Sequence, residues 1–104
     1  MRIFTRKPFV DAASKHPNDR VAVMDTYKML KNGSFETPEA LKHAIPSLDN
    51  FKHKPHWYVI DIGGNNLRLL AAIYFSPSQR IYVKYIVPHA EYDKLTRKAK
   101  KGDL

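Results

Sequence analysis

The sequence predicts an α+β fold, an antiparallel β-meander with helices packed on one of its faces. Three observations carry the prediction. Residues 57–87 contain the only strand-period sequence, WYVIDI, LRLLAAIYF and RIYVKYIV, whose β-branched and aromatic residues alternate between two faces. GGNN and SPSQ separate those runs and consist largely of residues that tight turns use. Residues 1–46 repeat their apolar side chains at helical spacing instead, between proline and Asn-Gly punctuation.

Arg2 to Thr5 reads as a short edge strand. Phe9, Val10 and Ala13 have helical spacing behind Pro8, which a first turn tolerates, and His16-Pro17 closes the segment because a residue before proline avoids the helical region. A second helix starts at an N-cap, Asn18 or Asp19, carries Val23, Tyr27 and Leu30 on one stripe, and stops at Asn32-Gly33 with a left-handed residue. The two segments form a helical hairpin. Thr37-Pro38-Glu39 starts a third helix, with threonine as N-cap, proline at the first helical position and a carboxylate facing the dipole. Pro46 ends it, and a loop from Ser47 to Pro55 leads into the sheet. After the sheet, Ala90 to Ala99 forms a short helix behind Pro88 and fades into a basic tail at residues 97–104.

The turns suggest the register. With Gly64 and Asn65 as the central pair of a tight hairpin, Gly63 faces Asn66, and Asp61 faces Arg68 as a cross-strand ion pair. With Ser76 to Gln79 as the second loop, Phe75 faces Arg80, and Arg68 comes opposite Val87, next to His89. A slip of one residue would reverse the faces.

A chain of 104 residues is expected to form one domain, residues 1–104. It has no cysteine, which excludes disulfides, thiolate catalysis and cysteine zinc sites. Neither a signal-like apolar segment nor a run long enough to span a bilayer is present, so a cytoplasmic protein with no membrane partner is expected. Charge is the informative quantity: 18 Lys and Arg against 10 Asp and Glu give +8. A domain this basic attracts polyanions, with nucleic acid foremost.

Candidate chemistry gathers around the sheet. His53 and His56 have the spacing of a metal pair, with His89 as a third ligand, but Pro55 interrupts them and no carboxylate stands at a supporting position. Surface histidines are the simpler reading. Arg68 and Lys84 interrupt apolar strands, and such cations either snorkel, pair with a carboxylate, or line an anion site. His89, Tyr92 and Asp93 share a helix face; histidine is a natural acid or base near neutral pH and a carboxylate can hold its tautomer. Alternatively Asp93 only serves the helix end, and Tyr92 only packs.

Three segments, PSLDNFK at 46–52, WYVIDIGGNNLR at 57–68 and PHAEYDKL at 88–95, resemble the HigB toxins of bacterial toxin–antitoxin modules, within the wider RelE-like group. The resemblance runs in order along nearly the whole chain. It implies a small RelE-like domain that enters the ribosomal A site, cleaves messenger RNA during translation, and is neutralised by a helix-turn-helix antitoxin of the HigA type. It also implies metal-free attack of a ribose 2′-OH on the adjacent phosphate, without a cofactor, leaving a 2′,3′-cyclic phosphate and a 5′-hydroxyl. The family's site pattern falls on Arg68, Lys84, His89 and Tyr92. Pro88 departs from that pattern, since relatives usually carry threonine before the histidine.

The residues support such chemistry on their own terms, because in-line transfer needs a base, cations for the phosphorane charge and an acid for the leaving oxygen. His89 is then base or acid, Arg68 and Lys84 stabilise charge, and Tyr92 orients a nucleobase. Lys52, His53, Lys54, His56, Lys98, Lys100 and Lys101 are the candidates for holding RNA. Two other readings stand beside the ribonuclease: a basic RNA-binding module without catalysis, and an adaptor for an acidic protein.

Overall fold

The computed structural model describes Met1–Leu104. Three long strands form the predicted meander: β3 (Trp57–Ile62), β4 (Leu67–Tyr74) and β5 (Arg80–Pro88). Two short edges widen it: β1 (Arg2–Ile3) runs parallel to β5, and β2 (Asp49–Asn50) is antiparallel to β3, giving the order β1-β5-β4-β3-β2. The helices are α1 (Lys7–Lys15), α2 (Arg20–Asn32), α3 (Pro38–Ala44) and α4 (His89–Lys100), with a 3₁₀ turn at Pro17–Asp19.

Alternation along the strands separates two faces. Ile60, Ile62, Leu69, Ala71, Ile73 and Ile81 meet Phe9 of α1, Val23 and Leu30 of α2 and Leu41 of α3 in the main core. Val10, expected on the same stripe as Phe9, is 44% exposed, and Ala12 takes its place inside. The opposite face carries Val59 and Leu70, which Phe51 covers together with Tyr92, Ala99 and Leu104 of the C-terminal segment. This is a correction to helices on one face, since α4 lies across the other. The physical reason is that β4 is apolar on both faces: Leu70 is fully buried, and covering it contributes about 1.5–3 kcal/mol.

Register followed the turns in one hairpin and departed in the other. Asp61 pairs with Arg68 and Arg68 with Val87, as expected. Arg80 faces Tyr74 rather than Phe75, because the β4–β5 ladder shifts between Leu70 and Ala71 and leaves Lys84 as the extra, unpaired residue of a bulge. In the first turn Asn66 N–H donates to Gly63 O at 3.3 Å, but the left-handed residues are Gly63 and Gly64, not Asn65. Asp19 makes no side-chain cap; its Oδ1 accepts from Asn66 Nδ2 at 3.0 Å, tying α2 to that turn. Thr37 caps α3 as predicted, accepting from Ala40 N–H at 3.1 Å.

Gly33 ends α2 in an extended conformation, φ −83°, so the expected left-handed stop is absent. Glycine is needed there for room. A β-carbon would lie 2.4 Å from Phe35 Cζ and 2.9 Å from Met29 O. Gly33→Ala is therefore expected to destabilise by about 1–3 kcal/mol through overpacking, read as a lower urea midpoint. An unchanged midpoint would show that the Phe35 ring simply moves aside.

The expected basic tail is helical. α4 runs to Lys100 and closes with a Schellman motif: Gly102 has φ 77°, Gly102 N–H donates to Ala99 O at 3.0 Å, and Asp103 N–H to Lys98 O at 2.9 Å. Leu104 then packs back on the second cluster.

Tyr58, beside α3, is the residue whose ionisation the fold shifts. Burial, and then the Glu39 carboxylate, hold its phenol above the ordinary value. A raised folded pKa means that the native state retains the proton longer. The contribution to stability is thus full below about pH 10 and lost as pH rises through the folded value. Tyr58→Phe should flatten the alkaline fall in urea stability relative to wild type, and identical slopes for the two proteins would refute the assignment.

Candidate active site

Arg68 lies at the end of β4 where α4 begins, on the face that α4 covers. Its Nη1 donates to Asp61 Oδ1 across the β3–β4 ladder, and Cζ sits 5.8 Å from the centroid of the Tyr92 ring. The side chain is 15% exposed and Asp61 33%. A guanidinium has five N–H donors and Asp61 engages one nitrogen. No buried side-chain nitrogen lacks a partner, so Nε and Nη2, which make no hydrogen bond, each keep some exposure to solvent.

Tyr92 stands one turn into α4. It is half-buried between Arg68 and Phe51, whose ring centroid is 6.2 Å away in an edge contact. A cavity of about 190 Å³ opens beside it, lined by Phe51, Lys52, His53 and Thr96 among others. Packing is thus part of what Tyr92 does, alongside its contact with the arginine.

His89 is the first residue of α4, and Pro88, the last residue of β5, occupies the N-cap with φ −62° and ψ 160°. Proline fixes the direction in which the helix leaves the sheet. The imidazole stays open to solvent, 57% exposed, with Nε2 3.7 Å from Asp93 Oδ2. That spacing suits an ion pair with a protonated ring rather than a hydrogen bond. His89 and Tyr92, three residues apart, share a helix face, and it is Tyr92 that stands against Arg68.

Lys84 does not join this group. Being the bulged residue, it is exposed, with Nζ 6.0 Å from the Tyr82 ring, and the Leu70–Tyr85 pair stands between it and Arg68. The other cations spread further. Lys52 and His53 border the cavity beside Tyr92, and His53 packs edge-on against Phe51 at 5.3 Å. Lys54 Nζ lies 5.2 Å over Trp57, and His56, left-handed at φ 64°, rests on Tyr74 at 4.8 Å. Lys98, Lys100 and Lys101 cluster at the end of α4, where cations complement the helix dipole. No three metal-ligating side chains converge, so His53, His56 and His89 do not form a three-ligand group.

Sequence reading passed over Trp57, Tyr74, Arg80 and Tyr82. They line a cleft on the same face as Arg68, at the opposite end of the sheet. A signal was present: each falls on the face opposite Ile60, Ile73 and Ile81, where aromatic residues alternate with aliphatic ones.

The family model for the HigB toxin, described as the RelE-like toxic component of a toxin–antitoxin system, matches residues 19–95. The chain belongs to that family. It is 50% identical to the mRNA interferase HigB of Escherichia coli O6:H1 (strain CFT073), over 93% of each chain. It is 40% identical to the mRNA interferase toxin HigB of Escherichia coli K12, over 92% of this chain and 91% of that one. The family match spans Arg68, Lys84, His89 and Tyr92, while the lysines at 98, 100 and 101 lie beyond it.

Proposed function

We propose that this protein is the toxin of a type II toxin–antitoxin module and an endoribonuclease that cleaves translated messenger RNA. The observation that carries the reading is 50% identity, along 93% of both chains, to a protein named as an mRNA interferase. The site supports it, with a solvent-reaching guanidinium, an aromatic ring and an exposed imidazole at one end of the sheet. The location proposed is the bacterial cytoplasm. A helix-turn-helix antitoxin of the HigA type is the proposed partner that masks the basic surface, whose net charge is +8.

The reaction is in-line transfer within the RNA. The ribose 2′-OH gives up its proton and its oxygen bonds to the adjacent phosphorus. The bond from phosphorus to O5′ breaks, and O5′ takes a proton. A 2′,3′-cyclic phosphate and a 5′-hydroxyl result. Arg68 offers its free N–H donors to the phosphorane oxygens, where fixed charge is strongest in effect. His89 handles one of the two protons, and Tyr92 orients the nucleotide above Arg68. Lys84, lying further along the face, serves a neighbouring phosphate. The reaction has two proton transfers, and the proposed setting for them is the translating ribosome.

A second reading, an RNA-binding module without catalysis, draws on the Asp61 carboxylate that already pairs with Arg68. Induced expression separates the two. Growth should stop without the antitoxin and resume with it, and messenger RNA should acquire new 5′-hydroxyl ends inside translated regions. Normal growth with abundant folded protein would reject the toxin. Arrest without new ends would select the non-catalytic reading.

A further inference from the structure

We propose that the open end of the second sheet face grips a nucleobase of single-stranded RNA in a cleft floored by Ala72 and walled by Trp57 and Tyr82. This rests on the RNA-directed reading above and names the part of the substrate that is held.

Trp57, Ala72 and Tyr82 are register partners on three adjacent strands. Strands about 4.8 Å apart place the flanking Cα atoms roughly 9.6 Å from each other. A flat base between two rings needs about 7 Å, two contacts of about 3.5 Å. Alanine in the middle leaves that gap open. The resulting cavity measures about 360 Å³.

The walls are braced before any ligand arrives. Phe4, which follows β1 on the outer side of β5, stacks on Tyr82 with centroids 4.6 Å apart and planes 12° from parallel. Trp57 leans on Phe51 at 5.9 Å. Rings already held lose little conformational freedom on binding.

Charge selects the occupant. Arg80 and Lys84 line the cleft, Lys54 lies over Trp57, and no carboxylate lines it. Aromatic faces for stacking, with cations beside them for phosphates, fit single-stranded nucleic acid. A helix-docking groove would present aliphatic side chains, of which the lining has one, Ala72. Ala72 lies four residues along β4 from Arg68, roughly 13 Å at 3.3 Å per residue, so the gripped base belongs to a nucleotide other than the one cleaved.

Trp57 is the only tryptophan, so its fluorescence reports the cleft directly. The test titrates the full-length protein with a 2′-O-methyl oligoribonucleotide, which cannot be cleaved, and with an abasic strand of the same backbone. Base-bearing RNA should quench Trp57 and bind about tenfold tighter than the abasic strand, the lower range for one stacked base. Ala72→Leu should fill the gap and reduce affinity to the abasic level, and Tyr82→Ala should do the same while Tyr82→Phe retains binding. The tyrosine pair keeps the test decisive even where the alanine variant fails to fold. Equal affinity for both strands, or no quenching by either, overturns the cleft, and the ribonuclease reading still stands if the wild type cleaves messenger RNA in a translating extract. Base-dependent quenching by a protein that cleaves nothing in that extract keeps the cleft and removes the ribonuclease. Quenching by the antitoxin but not by RNA assigns the surface to protein docking and overturns the proposal.

Discussion

Under the proposed function, Arg68→Ala is expected to lower the messenger RNA cleavage rate by roughly 10²–10³ while leaving the proposed ribosome association nearly unchanged. The rate loss is the usual worth of one fixed donor to a charged transition state, about 2.7–4 kcal/mol. Affinity changes little because Arg68 is one of 18 basic residues. The change also strips Asp61 of its partner and Tyr92 of its cation contact. Asp61 is 33% exposed and can be rehydrated, so the stability loss should stay near 1 kcal/mol, well short of unfolding. Thermal melts accompany the assay for that reason. Arg68→Lys is a useful companion: it keeps the charge but loses the planar fork, and should recover part of the rate. A cleavage defect that tracks the melting temperature across these variants would make Arg68 a structural partner of Asp61 and nothing more.

His89→Gln is expected to preserve the fold and the proposed ribosome association and to slow cleavage by roughly 10²–10⁴, the range for a positioned acid or base. The structural reason for expecting an intact fold is exposure: the ring is 57% accessible and makes no hydrogen bond that holds α4 in place. His53 and His56 are internal controls with different surroundings, one edge-on to Phe51 and the other left-handed against Tyr74. Asparagine tolerates left-handed backbone, so His56→Asn isolates the ring from the turn. Each control should weaken RNA contact modestly and keep most of the cleavage rate. Cleavage by His89→Gln at near wild-type rate would remove histidine from the chemistry and leave it to Arg68 and Tyr92.

Local signals were legible where one short-range interaction dominates. Thr37, Pro38 and Glu39 announced the start of α3 and the cap formed as written. Asp61 and Arg68 were placed opposite each other from GGNN alone, because a tight turn fixes the pairing of the residues that flank it. The place of His89 at the head of the last helix was readable to within one residue, since it needs only a strand, a proline and a helix in succession.

Tertiary packing decided the rest. Lys84 became a bulge, moving Arg80 from Phe75 to Tyr74, and no turn residue marks that shift. Gly33 serves the Phe35 ring rather than a left-handed stop, a constraint visible only once the ring is in place. The helix expected to end at Ala99 runs one residue further to Lys100, and Ala99 and Leu104 pack on the cluster around Leu70 and Phe51. By itself, then, the sequence determined the α+β class, the meander, the cap of α3, the Asp61–Arg68 pair and the resemblance to the HigB toxins, all of which depend on neighbours in the chain or on motifs within it. The structure alone decided the face that α4 covers, the bulge that takes Lys84 out of the β4–β5 ladder, and the cleft between Trp57 and Tyr82. These follow from which apolar surfaces remain to be buried after the local elements have formed, and that sum runs over residues far apart in the chain.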